Sequence, residues 1–170
     1  MLFRSFRFLE QRREAVLKRD LAALTRLIEE SLKIKAQVVE RDEKEGGLRR
    51  ILNFGHTVGH TLEAAGHFRH FLHGEAVAWG MRAATCLAQQ RGLLPASDAR
   101  RIHSLIAAYG PVPGLPRIRR LRLAGLLHAD KKTREGVLHF VLPEAIGRVR
   151  VVPGISVGEV EAVLKSLAKE

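Results

Sequence analysis

Five of the eight histidines lie between residues 56 and 73: His56, His60, His67, His70 and His73. His56 and His60 are four apart, which stacks them on one face of a helix. Imidazole is the commonest protein ligand for zinc-type metals, and a catalytic metal site wants three protein ligands and an open position. His73, at the start of a following helix, could come against the first across a short loop. A metalloprotease of the His-Glu-x-x-His kind is disfavoured, because Thr57 stands where that motif needs glutamate. Spacing alone offers His56 and His60 as twin ligands, yet two surface histidines four apart explain it about as often. His67 and His70 fall in the loop and read as solvent-facing.

The elements that must position these side chains are mostly helical. Leu21, Leu24, Leu27, Ile28 and Leu32 recur at spacings of three and four, which predicts helix across residues 6–40, with Asp20 as a cap. Residues 42–47 read as a charged loop ending in Gly46-Gly47. The pattern predicts one continuous helix over 48–65 with Gly55 and Gly59 inside it, either for close helix packing or for room beside a ligand. Further helices are expected over 74–91, 98–109 and 121–127, the last two separated by the proline-rich break at 111–116. Residues 137–142 and 148–152 are β-prone and should pair as a hairpin joined by 143–147; a last helix spans 158–169. The fold class is mainly α, a multi-helical domain with one small hairpin.

Composition agrees and narrows the function classes. Hydrophobic residues make up 46% of the chain, enough for a core, while only 5% are aromatic, so helices should pack on helices. The net charge of +11 favours an anionic partner such as a phosphorylated substrate; nucleic acid is the less favoured reading, since a solvated basic face is commoner. Cys86 is the only cysteine, which excludes internal disulfides and cysteine-rich zinc modules and suits a reducing cytoplasm. No apolar run approaches the ~20 residues of a membrane span, and the arginine-laced start lacks the features of a signal peptide. No Gly-rich loop following a strand marks a nucleotide site.

The order of motifs resembles the 3-dehydroquinate synthases. The resemblance runs through Ile34-Lys-Ala36, Asp42-Glu-Lys-Glu-Gly46, Leu48-Arg49, Leu52-Asn-Phe-Gly-His-Thr-Val-Gly-His60, Leu72-His-Gly-Glu-Ala-Val-Ala78, Asp130-Lys-Lys132 and Phe140-Val-Leu-Pro143. It implies the C-terminal helical domain of an enzyme that converts 3-deoxy-D-arabino-heptulosonate 7-phosphate to 3-dehydroquinate and phosphate, in the shikimate route to aromatic compounds. The implied cofactors are a divalent metal, zinc or cobalt, and NAD. By the resemblance, His56 and His73 bind the metal and His60 transfers protons. Glu45 is a second acid–base residue, and Lys35, Arg49, Asn53 and Lys131 (or Lys132) bind substrate. Arg49 and Asn53, four apart, would continue the helix face carrying His56 and His60.

The family also has an upstream NAD-binding domain, and a glutamate in an Ala-Glu-Val-Ile-Lys-like segment supplies a third metal ligand. Residues 1–170 match neither, so the expectation is a C-terminal half that is inactive without that domain and partners it as a separate or missing half. The family is commonly a homodimer. Two other readings stay open: a sugar-phosphate cyclase of the inosose or valiolone type, and a non-catalytic basic helical binding module.

Overall fold

Leucines spaced along residues 6–40 do form helices, and the same pattern recurs through the chain. A computed structural model describes residues 2–44, 47–110, 112–115, 120–129 and 138–169. The chain begins with α1 (Leu2–Gln11), α2 (Arg13–Leu17), α3 (Leu21–Arg41) and, after the charged loop, a 3₁₀ segment (Leu48–Asn53). Then follow α4 (His56–Ala65), α5 (His73–Gln90), α6 (Ala96–Ala108) and α7 (Arg120–Ala129). The strands β1 (His139–Ala145) and β2 (Arg148–Pro153) pair antiparallel, and α8 (Val157–Leu167) closes the fold. Among the described residues no helix is long and apolar enough to cross a membrane.

Helix α5 is the axis of the core. Its Ala76, Trp79, Ala83, Ala84, Leu87 and Ala88 are buried, and it packs against α4, α6, α8 and β1. The alanines keep the helix narrow, so neighbouring elements approach closely and fill the space with Leu62, Leu127, Phe140, Leu142, Val160 and Leu167. Among its described residues the α1–α3 limb fully buries only Ala23, while Phe6 packs against the core and polar bonds tie α1 to α6. Arg101 donates two hydrogen bonds to the Glu10 carboxylate at 3.0 and 2.8 Å, and the Tyr109 hydroxyl donates to the Leu9 carbonyl at 2.9 Å. Those Arg101 bonds hold the Glu10 carboxyl below its usual range, against a smaller opposing effect of burial.

The expected helix over 48–65 is broken in two. Gly55 adopts φ +82°, a left-handed conformation that ends the 3₁₀ segment and starts α4 afresh at His56. Sequence periodicity runs through this break because Ile51, Val58 and Leu62 keep helical spacing, seven and four residues apart, across it. The glycines serve close packing. A Cβ on Gly59 would lie 3.2 Å from the Ala76 carbonyl oxygen and Val77 Cα, and one on Gly80 would collide with the Gly55 carbonyl oxygen.

Two smaller expectations also change. Helix α6 starts at Ala96 rather than Asp98, and the Asp98 carboxylate instead accepts a hydrogen bond from the Ile146 N–H at 3.1 Å. That bond anchors the hairpin turn. Pro143 and Ala145 belong to β1, with a register irregularity between them, so the turn is only Ile146-Gly147, with Gly147 at φ +86°.

Asp20 caps α3 as expected, accepting from the Ala23 N–H at 2.8 Å. The charged loop is drawn back by Asp42, whose carboxylate accepts from the N–H groups of Gly47 and Arg49 at 2.8 and 2.9 Å. At α8, Ser156 and Glu159 form a reciprocal capping box, and Arg91 adds an ion pair to Glu159 at 2.8 Å. The Glu159 carboxyl is held below its usual range, first by the Ser156 N–H, then by the Ser156 hydroxyl and Arg91, with burial opposing. A carboxyl depressed in the folded state adds stability that is fully present above its unfolded pKa, ~4.3, and lost as pH falls through the folded value. Urea unfolding of Glu159→Gln should therefore show a weaker loss of stability on acidification below pH ~4.3 than the parent; identical pH dependence would contradict this coupling.

Candidate metal centre

Helix α4 projects His56 from its first turn, His60 one turn on and Glu63 one turn further. Positions 56, 60 and 63 share one face of that helix. The chain then turns back through residues 66–72, where His67 and Phe68 adopt positive φ of 53° and 56°. This tight return sets His73, the first residue of α5, against the α4 face. Glu75 secures the start of α5, its carboxylate accepting from the Leu72 N–H at 2.8 Å. The glycine contacts between α4 and α5 fix the separation of the two helices and hence the spacing of their histidines.

Three imidazoles converge. Ring centroids of His56 and His60 lie 5.5 Å apart, those of His56 and His73 also 5.5 Å, and those of His60 and His73 6.0 Å. One ligand atom each from His60, Glu63 and His73 fall within 4.8 Å of one another. A grouping of neutral imidazoles with one carboxylate suits zinc or a similar divalent ion.

The His56 Nδ1 lies 3.2 Å from the Phe54 carbonyl oxygen, which can only accept, so in the neutral ring the proton belongs on Nδ1 and the lone pair on Nε2. The His73 Nδ1 lies 3.2 Å from the Glu63 carboxylate, and the same argument applies. Metal-binding histidines commonly donate their second nitrogen to a carbonyl or carboxylate in this way. Glu63 is largely shielded, its side chain 12% exposed, while His73 is 60% exposed, so the cluster opens toward solvent from the His73 side.

The other expected site residues are not all drawn in. Among the described residues, no hydrogen bond or ring contact joins Lys35, Arg49 or Asn53 to the histidines. Lys35 is exposed on α3, and the Arg49 guanidinium donates to the Glu43 carbonyl at 3.2 Å. Arg49 and Asn53 lie on the 3₁₀ segment, before the Gly55 break, so they do not continue the α4 face. Glu45, Lys131 and Lys132 lie outside the described residues. His67 and His70 are exposed, His67 against Arg122 and His70 against the Gly114 carbonyl. Glu63 was missed in the sequence, although its spacing of three from His60 and seven from His56 was there to be read.

The family profile for the 3-dehydroquinate synthase C-terminal domain matches residues 3–133. The 3-dehydroquinate synthase of Solibacter usitatus (strain Ellin6076) is 51% identical over 150 residues, covering 88% of this chain and 42% of that protein. Among solved structures, the 2-epi-5-epi-valiolone synthase of Streptomyces hygroscopicus subsp. jinggangensis 5008, with NAD+ and Zn2+ bound, has a TM-score of 0.84 at 28% identity. That match covers 98% of this chain and 46% of that one. A 2-deoxy-scyllo-inosose synthase complexed with carbaglucose-6-phosphate, NAD+ and Co2+ shares the fold, with a TM-score of 0.68 at 23% identity, over 82% of this chain and 40% of that one. This chain belongs to the 3-dehydroquinate synthase family and spans under half the length of these relatives.

Proposed function

We propose that this chain is the metal- and substrate-binding part of a 3-dehydroquinate synthase, acting on 3-deoxy-D-arabino-heptulosonate 7-phosphate. The observation that carries the reading is the convergence of His56, His60 and His73 in the segment the family profile matches. We assign the metal to the Nε2 atoms of His56 and His73, whose Nδ1 atoms are engaged by Phe54 and Glu63. A divalent ion there would act as a Lewis acid toward the substrate's hydroxyl groups.

His60, its ring 5.5 Å from one of these rings and 6.0 Å from the other, is proposed to take or return a proton at an imidazole nitrogen. Glu63 orients His73 by accepting its Nδ1 proton. Lys35, Arg49, Asn53 and Lys131 (or Lys132) are proposed to bind the phosphate, carboxylate and hydroxyls, and Glu45 to share the proton transfers. Among the described residues the only strands are the β1–β2 pair, and no strand, Gly-rich loop and helix unit seats a dinucleotide. The NAD of the reaction is assigned to none of the described residues. We place the protein in the cytoplasm, as a homodimer.

Binding can be read without turnover. Calorimetric titration of the zinc-loaded chain, with no NAD added, should show heptulosonate phosphate binding roughly ten-fold tighter than glucose 6-phosphate or a heptulose 7-phosphate without the carboxylate. The discrimination comes from pairing the substrate carboxylate with a cationic side chain. Tighter binding of either carboxylate-free sugar phosphate would favour one of the other cyclase activities. No binding of any of them would overturn the proposal.

A further inference from the structure

The α1–α3 limb carries a second concentration of charge on elements that contribute nothing to the histidine cluster. Arg4, Arg7, Phe8 and Gln11 follow one another at helical spacing on a single face of α1. That face looks across a cleft of about 530 Å³ at Ala22, Ala23 and Arg26 of α3, and Arg12 also lines it. No acidic residue lines it. The absence is not a matter of local composition, because the neighbouring cleft is lined by Glu10, Glu14 and Asp20 among its bases.

Most of the nearby carboxylates are hydrogen-bonded elsewhere. Glu10 sits one turn from Arg7 and attracts it, but both its oxygens are hydrogen-bonded to Arg101. Asp20 caps α3 through the Ala23 N–H, and Glu29 and Glu30 pair with Lys33. Among the described residues no carboxylate pairs with Arg4, Arg7, Arg12 or Arg26. Arg26 is instead laid over the Phe8 ring, its guanidinium carbon 4.7 Å from the centroid. That stacking limits the arginine's freedom before any ligand arrives.

Like charges gathered around a cleft raise one another's energy, and a multiply charged anion relieves this. Guanidinium groups match the oxygens of phosphate in a paired geometry that lysine does not offer. The volume falls within the range of small-molecule sites, roughly 300–1,000 Å³. Helix α1, with ten residues, is about 15 Å long, well short of one turn of duplex nucleic acid at roughly 34 Å. We propose that the α1–α3 cleft is a binding site for a compact oligophosphate anion, held by Arg4, Arg7, Arg12 and Arg26.

Calorimetric titration of the metal-free 170-residue chain with inorganic tripolyphosphate and with ATP tests this. Arg7→Glu/Arg26→Glu should weaken both by roughly ten-fold or more, while Arg148→Glu/Arg150→Glu, the same change in net charge on the hairpin, should leave them nearly unchanged. ATP binding tighter than tripolyphosphate would assign the ligand to nucleotides, and equal affinities to the bare oligophosphate; both support the site. Equal weakening by the two double variants would mean diffuse charge and overturn it. So would failure of either ligand to bind at millimolar concentration, or a duplex oligonucleotide outcompeting tripolyphosphate. If circular dichroism shows Arg7→Glu/Arg26→Glu unfolded, Arg4→Gln/Arg12→Gln makes the same test.

Discussion

His73→Ala should lower the affinity of the chain for zinc by about 100-fold or more. Losing a ligand ought to exceed the ten- to hundred-fold cost typical of losing only a ligand's hydrogen-bond partner. His73 is the sole contribution of α5 to the ring cluster, so no neighbouring imidazole on that helix can replace it. Competition with a chromophoric chelator at neutral pH measures the change. Glu63→Gln keeps an acceptor near the His73 Nδ1 but removes the carboxylate charge, and roughly a ten-fold loss is expected from it. Unchanged affinity in His73→Ala would remove the cluster from the metal site altogether.

Gly80→Ala is expected to destabilise the protein by about 3 kcal/mol, at the upper end for overpacking, or to prevent folding. The added methyl would strike the Gly55 carbonyl oxygen, with the Gly55 carbonyl carbon and the Gly59 nitrogen also within 3 Å. All three are backbone atoms, and none can swing aside as a side-chain tip would. The α4–α5 pair must separate, which also moves His60 away from His73. Gly125→Ala on α7 is the control. Nothing lies within 4 Å of a Cβ built there, so replacing a helical glycine should be neutral or stabilise by up to about 1 kcal/mol. Urea unfolding of both variants measures the contrast, and similar midpoints would contradict the packing argument.

What could be read from the sequence, and what could not, follows the range of the interactions concerned. Asp20 as a cap, Asp42 in a loop, and the pairing of residues near Phe140 and Val152 depend on neighbours in sequence or on side-chain period, and both are visible in one dimension. His56 and His60 share a helix face for the same reason. The break at Gly55 was hidden because apolar spacing continues across it; its cause is the Val77 carbonyl and Met81 of another helix, which leave no room for a Cβ. Arg49 and Asn53 were misplaced with it. Beyond its spacing from His56 and His60, Glu63 carries no signal of its own in the sequence, because only the turn through His67 and Phe68 delivers His73 to it. The start of α6 at Ala96 rather than 98 was not legible either, because the partner of the Asp98 carboxylate, the Ile146 N–H, lies 48 residues away.

The geometry admits two ligand sets that differ in one residue's task. His56 and His73 can hold the ion with His60 as proton carrier, or His60, Glu63 and His73 can form the chelate, since their donor atoms lie within 4.8 Å of one another. Titrating cobalt(II) into His60→Ala and following the visible absorption of the bound ion separates them directly. The proposed roles predict a cobalt affinity within about three-fold of the parent, since His60 is not a ligand. A loss of about 100-fold, with His56→Ala binding like the parent, would contradict the assignment and make His60 a ligand.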